Sequence, residues 1–142
     1  MSVSQINLEL YQRSSSNYPQ FWWAVLSFTP DILDDDDVWF TTTNNAYEAT
    51  CARGQGLDGL EAMFAPTVPY GHYGSVAQRP AGRPDHYPTH RAAEVLYPGA
   101  LTFDHLQAVY VREAQHRRLI SAWCAAYGHP PLPVKINPDA FA

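Results

Sequence analysis

Charge is scarce in this chain. Only 16% of its 142 residues are Asp, Glu, Lys or Arg, and 9 basic against 14 acidic residues leave a net charge of −5. That balance excludes nucleic-acid binding through a broad basic surface, though not through a local basic patch. Cysteine is scarcer still. Cys51 and Cys124 are the only two; they fall in different segments of helical pattern and lack metal-ligand spacing. They read as small buried apolar residues of a reducing compartment. No apolar run approaches the ~20 residues of a membrane span. Met1-Ser2-Val3-Ser4-Gln5 lacks a basic start followed by an apolar core, so no secretory signal is visible. A soluble, cytoplasmic protein without membrane contact is expected. A glycine-rich loop ending in Lys and Ser or Thr is missing, as is a Gly-x-Ser-x-Gly elbow, which sets aside those two chemistries.

What is present suits a single domain over residues 1–142, long enough to bury a core without staples. Its 12 prolines mark a loop-rich globular chain. Residues 6–12 alternate Ile6, Leu8 and Leu10 with Asn7, Glu9 and Tyr11, the pattern of a half-buried strand. The aromatic and β-branched run 21–28 reads as a central strand buried on both faces. Asp34, Asp35, Asp36 and Asp37 follow; without the alternating ligands and glycine of a calcium loop, they read as a solvated turn. A strand over 38–42 precedes two short helices. The first, 46–53, is capped by Asn44 or Asn45 and ended by Gly54; the second, 57–64, puts Leu57, Leu60, Met63 and Phe64 on one face. Beyond a long loop come a strand at 106–111, a helix at 113–127 and a strand at 133–136. The helix presents Leu119, Ile120, Trp123, Cys124 and Tyr127 on one face, with Arg112, His116, Arg117 and Arg118 as a wet face near its start. The class is α+β with a mainly antiparallel sheet and short helices.

Two segments carry candidate chemistry. In His90-Arg91-Ala92-Ala93-Glu94-Val95-Leu96-Tyr97-Pro98, a short strand places Ala92, Glu94 and Leu96 on one face. A carboxylate between Ala and Leu is desolvated unless a cleft or a partner serves it. The plainer reading is an edge-strand Glu in solvent, or one paired with Arg91 or Arg83. The second segment is the loop 65–90, with Pro66, Pro69, Pro80, Pro84 and Pro88 and with Gly71, Gly74 and Gly82 between. Loops of that length are functional or disordered. Its Tyr70, His72, Tyr73, Arg79, Arg83, His86, Tyr87 and His90 mix rings with cations, which suits stacking on bases and contacting phosphate. A floppy insertion of ordinary surface composition is the alternative. His86, His90 and Glu94 recur every four residues, a zinc spacing on a helix, but Pro84 and Pro88 break any helix there. A metal-free nuclease using His72, His86 or His90 with Glu94 is a weaker rival.

Four short segments, taken in order, resemble one family. They are Val38-Trp39-Phe40-Thr41-Thr42-Thr43-Asn44-Asn45-Ala46, Leu57-Asp58-Gly59-Leu60, Arg91-Ala92-Ala93-Glu94-Val95-Leu96 and Val109-Tyr110-Val111. Together with the ending Pro133-Val134-Lys135-Ile136-Asn137-Pro138-Asp139-Ala140-Phe141, they look like the DarT family of toxins. Those enzymes transfer ADP-ribose from NAD to thymidine bases in single-stranded DNA. The resemblance runs over residues 6–141 and rests on the order and spacing of motifs that are weak singly. It implies an ADP-ribosyltransferase-like fold, NAD as a substrate, and single-stranded DNA or another nucleic acid as partner. An antitoxin with ADP-ribosyl-hydrolase activity is implied as well.

By that resemblance Glu94 matches the catalytic glutamate, holding the NAD ribose and helping to deprotonate the nucleophilic base nitrogen. Thr42 and Asn45, in the first matched segment, become candidates for holding NAD. The loop 65–90 stands where the family keeps its substrate-contacting loop, so its Tyr, His and Arg residues, with Arg91, become substrate contacts. Departures are visible too. The family's His-x-Thr NAD-binding element has no counterpart, so the chain reads as shortened. The Arg expected before the first strand is replaced near Gln5 or Ile6, and the Asp after Phe-Thr is Thr42. Tyr11 and Arg13 are the nearest substitutes. A non-catalytic module of the same fold, binding single-stranded nucleic acid or a protein, is the alternative function.

Overall fold

The computed structural model describes residues 1–46 and 51–142. In chain order the elements are helix α1 (Leu8–Asn17), strands β1 (Ala24–Phe28), β2 (Trp39–Thr41) and β3 (Arg53–Gln55), helix α2 (Gly56–Ala62), strands β4 (Thr67–Pro69), β5 (Val76–Gln78), β6 (Glu94–Leu96) and β7 (Leu106–Val111), helix α3 (Ala114–Ala126) and strand β8 (Val134–Ile136). Single 3-10 turns occupy Pro30–Leu33, Phe103–His105 and Pro138–Phe141. These residues gather into two compact units, one of residues 1–7 and 33–101, the other of residues 8–32 and 102–142.

The first unit is built on β2. It pairs antiparallel with β3 on one side and with β6 on the other, in the order β3-β2-β6. Alternation along β2 and β6 turns Phe40 and Val95 into a core with Val38, Met63 and Ala93, against which Leu60 and Phe64 of the α2 region also pack. Helix α2 lies close on β3. A Cβ added at Gly59 would stand 2.4 Å from the Gly54 carbonyl carbon, and one at Gly54 would stand 2.8 Å from the Gly59 Cα. Only glycine permits that approach.

The second unit carries the sheet β1-β7-β8, in which β7 pairs antiparallel with β1 and parallel with β8. Val109 and Val111 of β7 meet Ile120 and Cys124 of α3, with Trp22, Leu132 and Val134 around them. Gly128, at φ +68°, ends α3 in the left-handed region that favours glycine. Among the described residues four of the five strand pairings are antiparallel, so the α+β class with a mainly antiparallel sheet holds.

Several local expectations change. Residues 6–12 do not form a strand; Leu8–Asn17 is helical. Leu8, Tyr11, Ser14 and Ser15 are its more buried positions, a spacing of three and four that the short alternation of Ile6, Leu8 and Leu10 conceals. The 21–28 run yields only β1, an edge strand whose Leu26 is exposed, so it is not buried on both faces. Much of the helix expected over 46–53 lies outside the described residues, and Arg53 belongs to β3 instead. Leu57 of α2 is exposed. On α3 the assignment of faces is altered: Leu119, Trp123 and Tyr127 are exposed, while His116 is buried and stacks on Trp22 with ring centres 4.7 Å apart. The 65–90 loop contains the β4–β5 hairpin.

The Gly54–Gly59 contact yields a direct expectation. Gly59→Ala forces α2 away from β3 and lowers unfolding stability by about 1–3 kcal/mol, as overpacking of a tight contact does. Urea denaturation measures it; a midpoint unchanged from wild type would refute the close contact.

Candidate active site around Glu94

Glu94 opens β6, directly opposite Thr41 of β2. Its neighbours Ala93 and Val95 enter the core, so alternation turns the Glu94 side chain to the half-buried other face. There the Asn45 backbone N–H donates to Glu94 Oε2 at 3.0 Å. The Thr41 hydroxyl donates to the Thr43 carbonyl at 2.7 Å and also lies 3.3 Å from the Glu94 carbonyl, tying the turn after β2 to β6. Arg53 Nη2 donates to the Asn45 carbonyl at 3.2 Å. Asn45 is thus fixed through its backbone on both sides, while its side-chain Oδ1 is buried with no hydrogen-bond donor among the described residues. Such an orphan acceptor costs about 1–3 kcal/mol unless something supplies a donor.

Thr42 is buried, and its hydroxyl accepts from the Ala52 N–H at 3.1 Å. That bond holds the same turn. Thr41 and Arg53 were not singled out by the sequence reading. Thr41 is recoverable once 38–42 and 92–96 are paired as strands; Arg53 is hidden by the helical reading of 46–53.

The long loop is an ordered piece in which most polar groups are spent internally. Arg79 donates to the carbonyls of Tyr87 at 2.9 Å and Pro84 at 2.8 Å, and to the Thr89 hydroxyl at 3.3 Å. Arg83 donates through Nε to the Pro88 carbonyl and lies 5.6 Å over the Tyr87 ring. Burial and the adjacent Arg79 hold the Arg83 guanidinium below its ordinary pKa. Thr89 closes the loop: its N–H donates to the Met63 carbonyl at 2.8 Å and its hydroxyl to the Ala65 carbonyl.

The β4–β5 hairpin ends in an exposed tip. Tyr70 and His72 are exposed there, and Tyr73 is fully so, at a left-handed φ of +60° between Gly71 and Gly74. His90 accepts from the Ala92 N–H through Nδ1 at 3.2 Å and lies against Tyr70, ring centres 4.6 Å apart. His86 meets Tyr87 edge-on at 4.3 Å. Arg91 is exposed just before β6. Glu94, Thr42, Asn45 and the loop residues all belong to the first unit, and of these the Asn45 N–H is bonded to the Glu94 carboxylate. Tyr11 and Arg13 stand on α1 of the second unit, where the Tyr11 ring packs against Trp23 and Phe141.

Gly54-Gln55-Gly56-Leu57-Asp58-Gly59 has the Gly-x-Gly-x-x-Gly spacing of dinucleotide-binding turns, a signal absent from the sequence reading. It does join a strand to a helix. However, β3 is antiparallel to its neighbour, α2 is only 7 residues long, and the cleft beside Gly56 is lined by Asp34, Asp35, Asp36 and Asp37. Four carboxylates repel a pyrophosphate, so these glycines serve helix–strand packing. Asp35 accepts a hydrogen bond from the Tyr97 hydroxyl at 2.5 Å, which raises the Tyr97 pKa. Among the described residues no three His, Cys, Asp or Glu side chains form a metal-binding group. No helix there is long and apolar enough to cross a membrane.

A small α+β fold, with three helices and mostly antiparallel sheets among the described residues, fits an ADP-ribosyltransferase. The family model for DarT, the ssDNA thymidine ADP-ribosyltransferase, matches residues 4–142, and the chain belongs to that family. It is accordingly a transferase that uses NAD as ADP-ribose donor and thymidine in single-stranded DNA as acceptor, in a family of toxins. No curated protein matches the chain.

The loop geometry sets an expectation for Arg79. Arg79→Ala removes donors from two carbonyls and a hydroxyl, costing about 1–3 kcal/mol and speeding proteolytic cleavage within residues 80–88. Arg79→Lys fails to restore it, because an ammonium lacks the fork that spans three acceptors. Limited proteolysis followed by mass analysis reads this out; unchanged cleavage in Arg79→Ala would show that the clamp is dispensable.

Proposed function

We propose that Glu94 is the catalytic carboxylate of this transferase and that Asn45 positions it. The observation that carries the reading is the 3.0 Å bond from the Asn45 N–H to Glu94 Oε2, from a residue whose side-chain Oδ1 has no donor among the described residues. One carboxylate oxygen is anchored; in this reading the other meets substrate. In the transfer, the bond from ribose C1′ to the nicotinamide nitrogen breaks and its electron pair leaves with nicotinamide, which becomes neutral. Positive charge builds on the ribose, and a fixed carboxylate stabilises it without reorganising. The thymine ring nitrogen that bears a proton forms the new bond to C1′, and Glu94 takes that proton. Both substrates carry N–H or O–H donors that suit the orphan Asn45 Oδ1.

Thr42 acts in this reading through the turn it holds, since its hydroxyl is engaged with Ala52. Tyr70, His72 and Tyr73 at the hairpin tip meet the DNA bases, with His86, Tyr87, His90 and Arg91 around them. Arg79 and Arg83 shape the loop from within. No His-x-Thr run occurs in the sequence, so we assign NAD binding to Glu94 and Asn45; Tyr11 and Arg13, the substitutes suggested by the resemblance, belong to the other unit and are not part of this assignment. A cell making this enzyme needs ADP-ribose removed from its DNA, which assigns an ADP-ribosyl-hydrolase antitoxin as its protein partner.

Intact-mass analysis of thymidine-containing single-stranded oligonucleotides, incubated with NAD and protein, tests the assignment. Wild type adds one ADP-ribose and releases nicotinamide. Glu94→Gln lowers the rate at least about 10²–10³-fold, the scale for removing a key electrostatic group. Asn45→Ala weakens NAD binding about tenfold, as for one lost hydrogen bond worth about 1.4 kcal/mol. Full activity in Glu94→Gln would refute the role of Glu94. No increment on DNA, RNA or protein would favour the non-catalytic binding module.

A further inference from the structure

The sheet of the second unit has two faces. Val109, Val111 and Val134 point to α3. Tyr110 alternates to the other face, and Arg112, just past the strand end, is exposed. Lys135 of β8 stands opposite Tyr110 in register, its Nζ 5.9 Å from the Tyr110 ring centre. The Arg112 guanidinium lies 5.7 Å from the centre of the Tyr11 ring and 5.4 Å from that of Phe141. Those two rings are themselves 5.6 Å apart, and Tyr11 meets Trp23 edge-on at 6.2 Å, so the support beneath Arg112 is a packed cluster.

Both cations are exposed. Among the described residues neither side chain has a hydrogen bond or an ion pair. The neighbouring Glu113 carboxylate is occupied, accepting from Gln115 Nε2 at 2.7 Å. An arginine laid over aromatic rings keeps its N–H edge outward and has already lost much of its side-chain freedom. A planar, pre-set fork of this kind suits a phosphate. Arg79 and Arg83 offer the contrast, because their forks are consumed by loop carbonyls. Tyr110 and Arg112 are two residues apart, about 6.6 Å along an extended chain, so the two cations can meet neighbouring phosphates of one strand.

We propose that Arg112 and Lys135 form a two-cation grip for the phosphate backbone of single-stranded DNA, in the unit that does not carry Glu94. The grip rests on the DNA substrate of the family and on nothing in the Glu94 chemistry. It supplies the local basic patch that a chain of net charge −5 needs in place of a basic surface.

The test is fluorescence anisotropy of a labelled oligothymidine with no NAD present, over a range of salt. Arg112→Ala and Lys135→Ala each weaken binding about fivefold to tenfold and shallow the salt slope by about 0.7, the value for one phosphate contact on a single strand. Arg112→Lys keeps the slope and recovers only part of the affinity. Arg118→Ala, at an exposed arginine of α3 with no ring beneath it among the described residues, changes affinity less than about twofold. Melting temperatures confirm that each variant is folded. Equal losses in Arg118→Ala, no loss in the Arg112 and Lys135 variants, or no binding by wild type would each overturn the grip. Binding with these losses but no ADP-ribose transfer would keep the grip and refute the Glu94 assignment; transfer without them would do the reverse.

Discussion

The pairing of β2 with β6 is the constraint on which the candidate site depends. The same ladder that sets Phe40 opposite Val95 in the core sets Thr41 opposite Glu94 on the other face. Because side chains alternate with a period of two, a slip of one residue would drive Glu94 into the core and expel Val95. Burying an unpaired carboxylate there costs several kcal/mol, about as much as a small unit has in total stability. Hydrophobic burial therefore selects the register, and the register delivers the carboxylate to Asn45. The turn after β2 completes the arrangement through bonds that involve backbone groups, from Thr41 to Thr43, from Ala52 to Thr42 and from Arg53 to Asn45. The geometry of the candidate site is a by-product of core packing plus a hydrogen-bonded turn.

With only 9 cations in the chain, where five of them are placed is informative. Arg79 and Arg83 neutralise loop carbonyls that a Pro-rich segment cannot pair in a sheet, and so allow residues 80–89 to be ordered. Arg53 braces the Asn45 turn. Arg112 and the single lysine, Lys135, lie over rings with their polar ends outward. An acidic protein acting on a polyanion needs its few positive charges placed rather than abundant. The four aspartates line a cleft of about 570 Å³ with Gln55 and Gly56, which makes that side of the first unit unfavourable for phosphates.

How much of this was legible from sequence followed from where burial is one-sided. Residues 106–111 read correctly as a strand, because Val109 and Val111 face the α3 core while Tyr110 between them does not. Residues 38–42 and 57–64 were legible for the same reason. Helix α1 was not: no residue in it is fully buried, so its apolar pattern is weak and seven alternating residues fit a strand equally well. The β4–β5 hairpin was hidden because its strands have only three residues each and one of them ends in Pro69. Glu94 was visible as a misplaced carboxylate, and the family resemblance assigned it a role. Its clamp was not visible, since the donor is the Asn45 backbone N–H, which every residue except proline carries.

Three buried polar atoms lack partners among the described residues: Trp23 Nε1, Asn45 Oδ1 and His116 Nδ1. Each costs folding free energy of about 1–3 kcal/mol. For Trp23 and His116 the surroundings are aromatic: Tyr11 meets Trp23 edge-on, and Trp22 stacks over His116 between it and Trp123. There the orphaned nitrogen accompanies ring packing that holds a sheet face together. Asn45 has no such compensation. Its backbone is already satisfied on both sides, so an apolar side chain would serve the turn equally well and would remove the orphan. A polar side chain kept at a cost to stability, on the residue whose N–H holds the carboxylate, is the physical reason to place Asn45 with Glu94 in the proposed chemistry rather than in the scaffold.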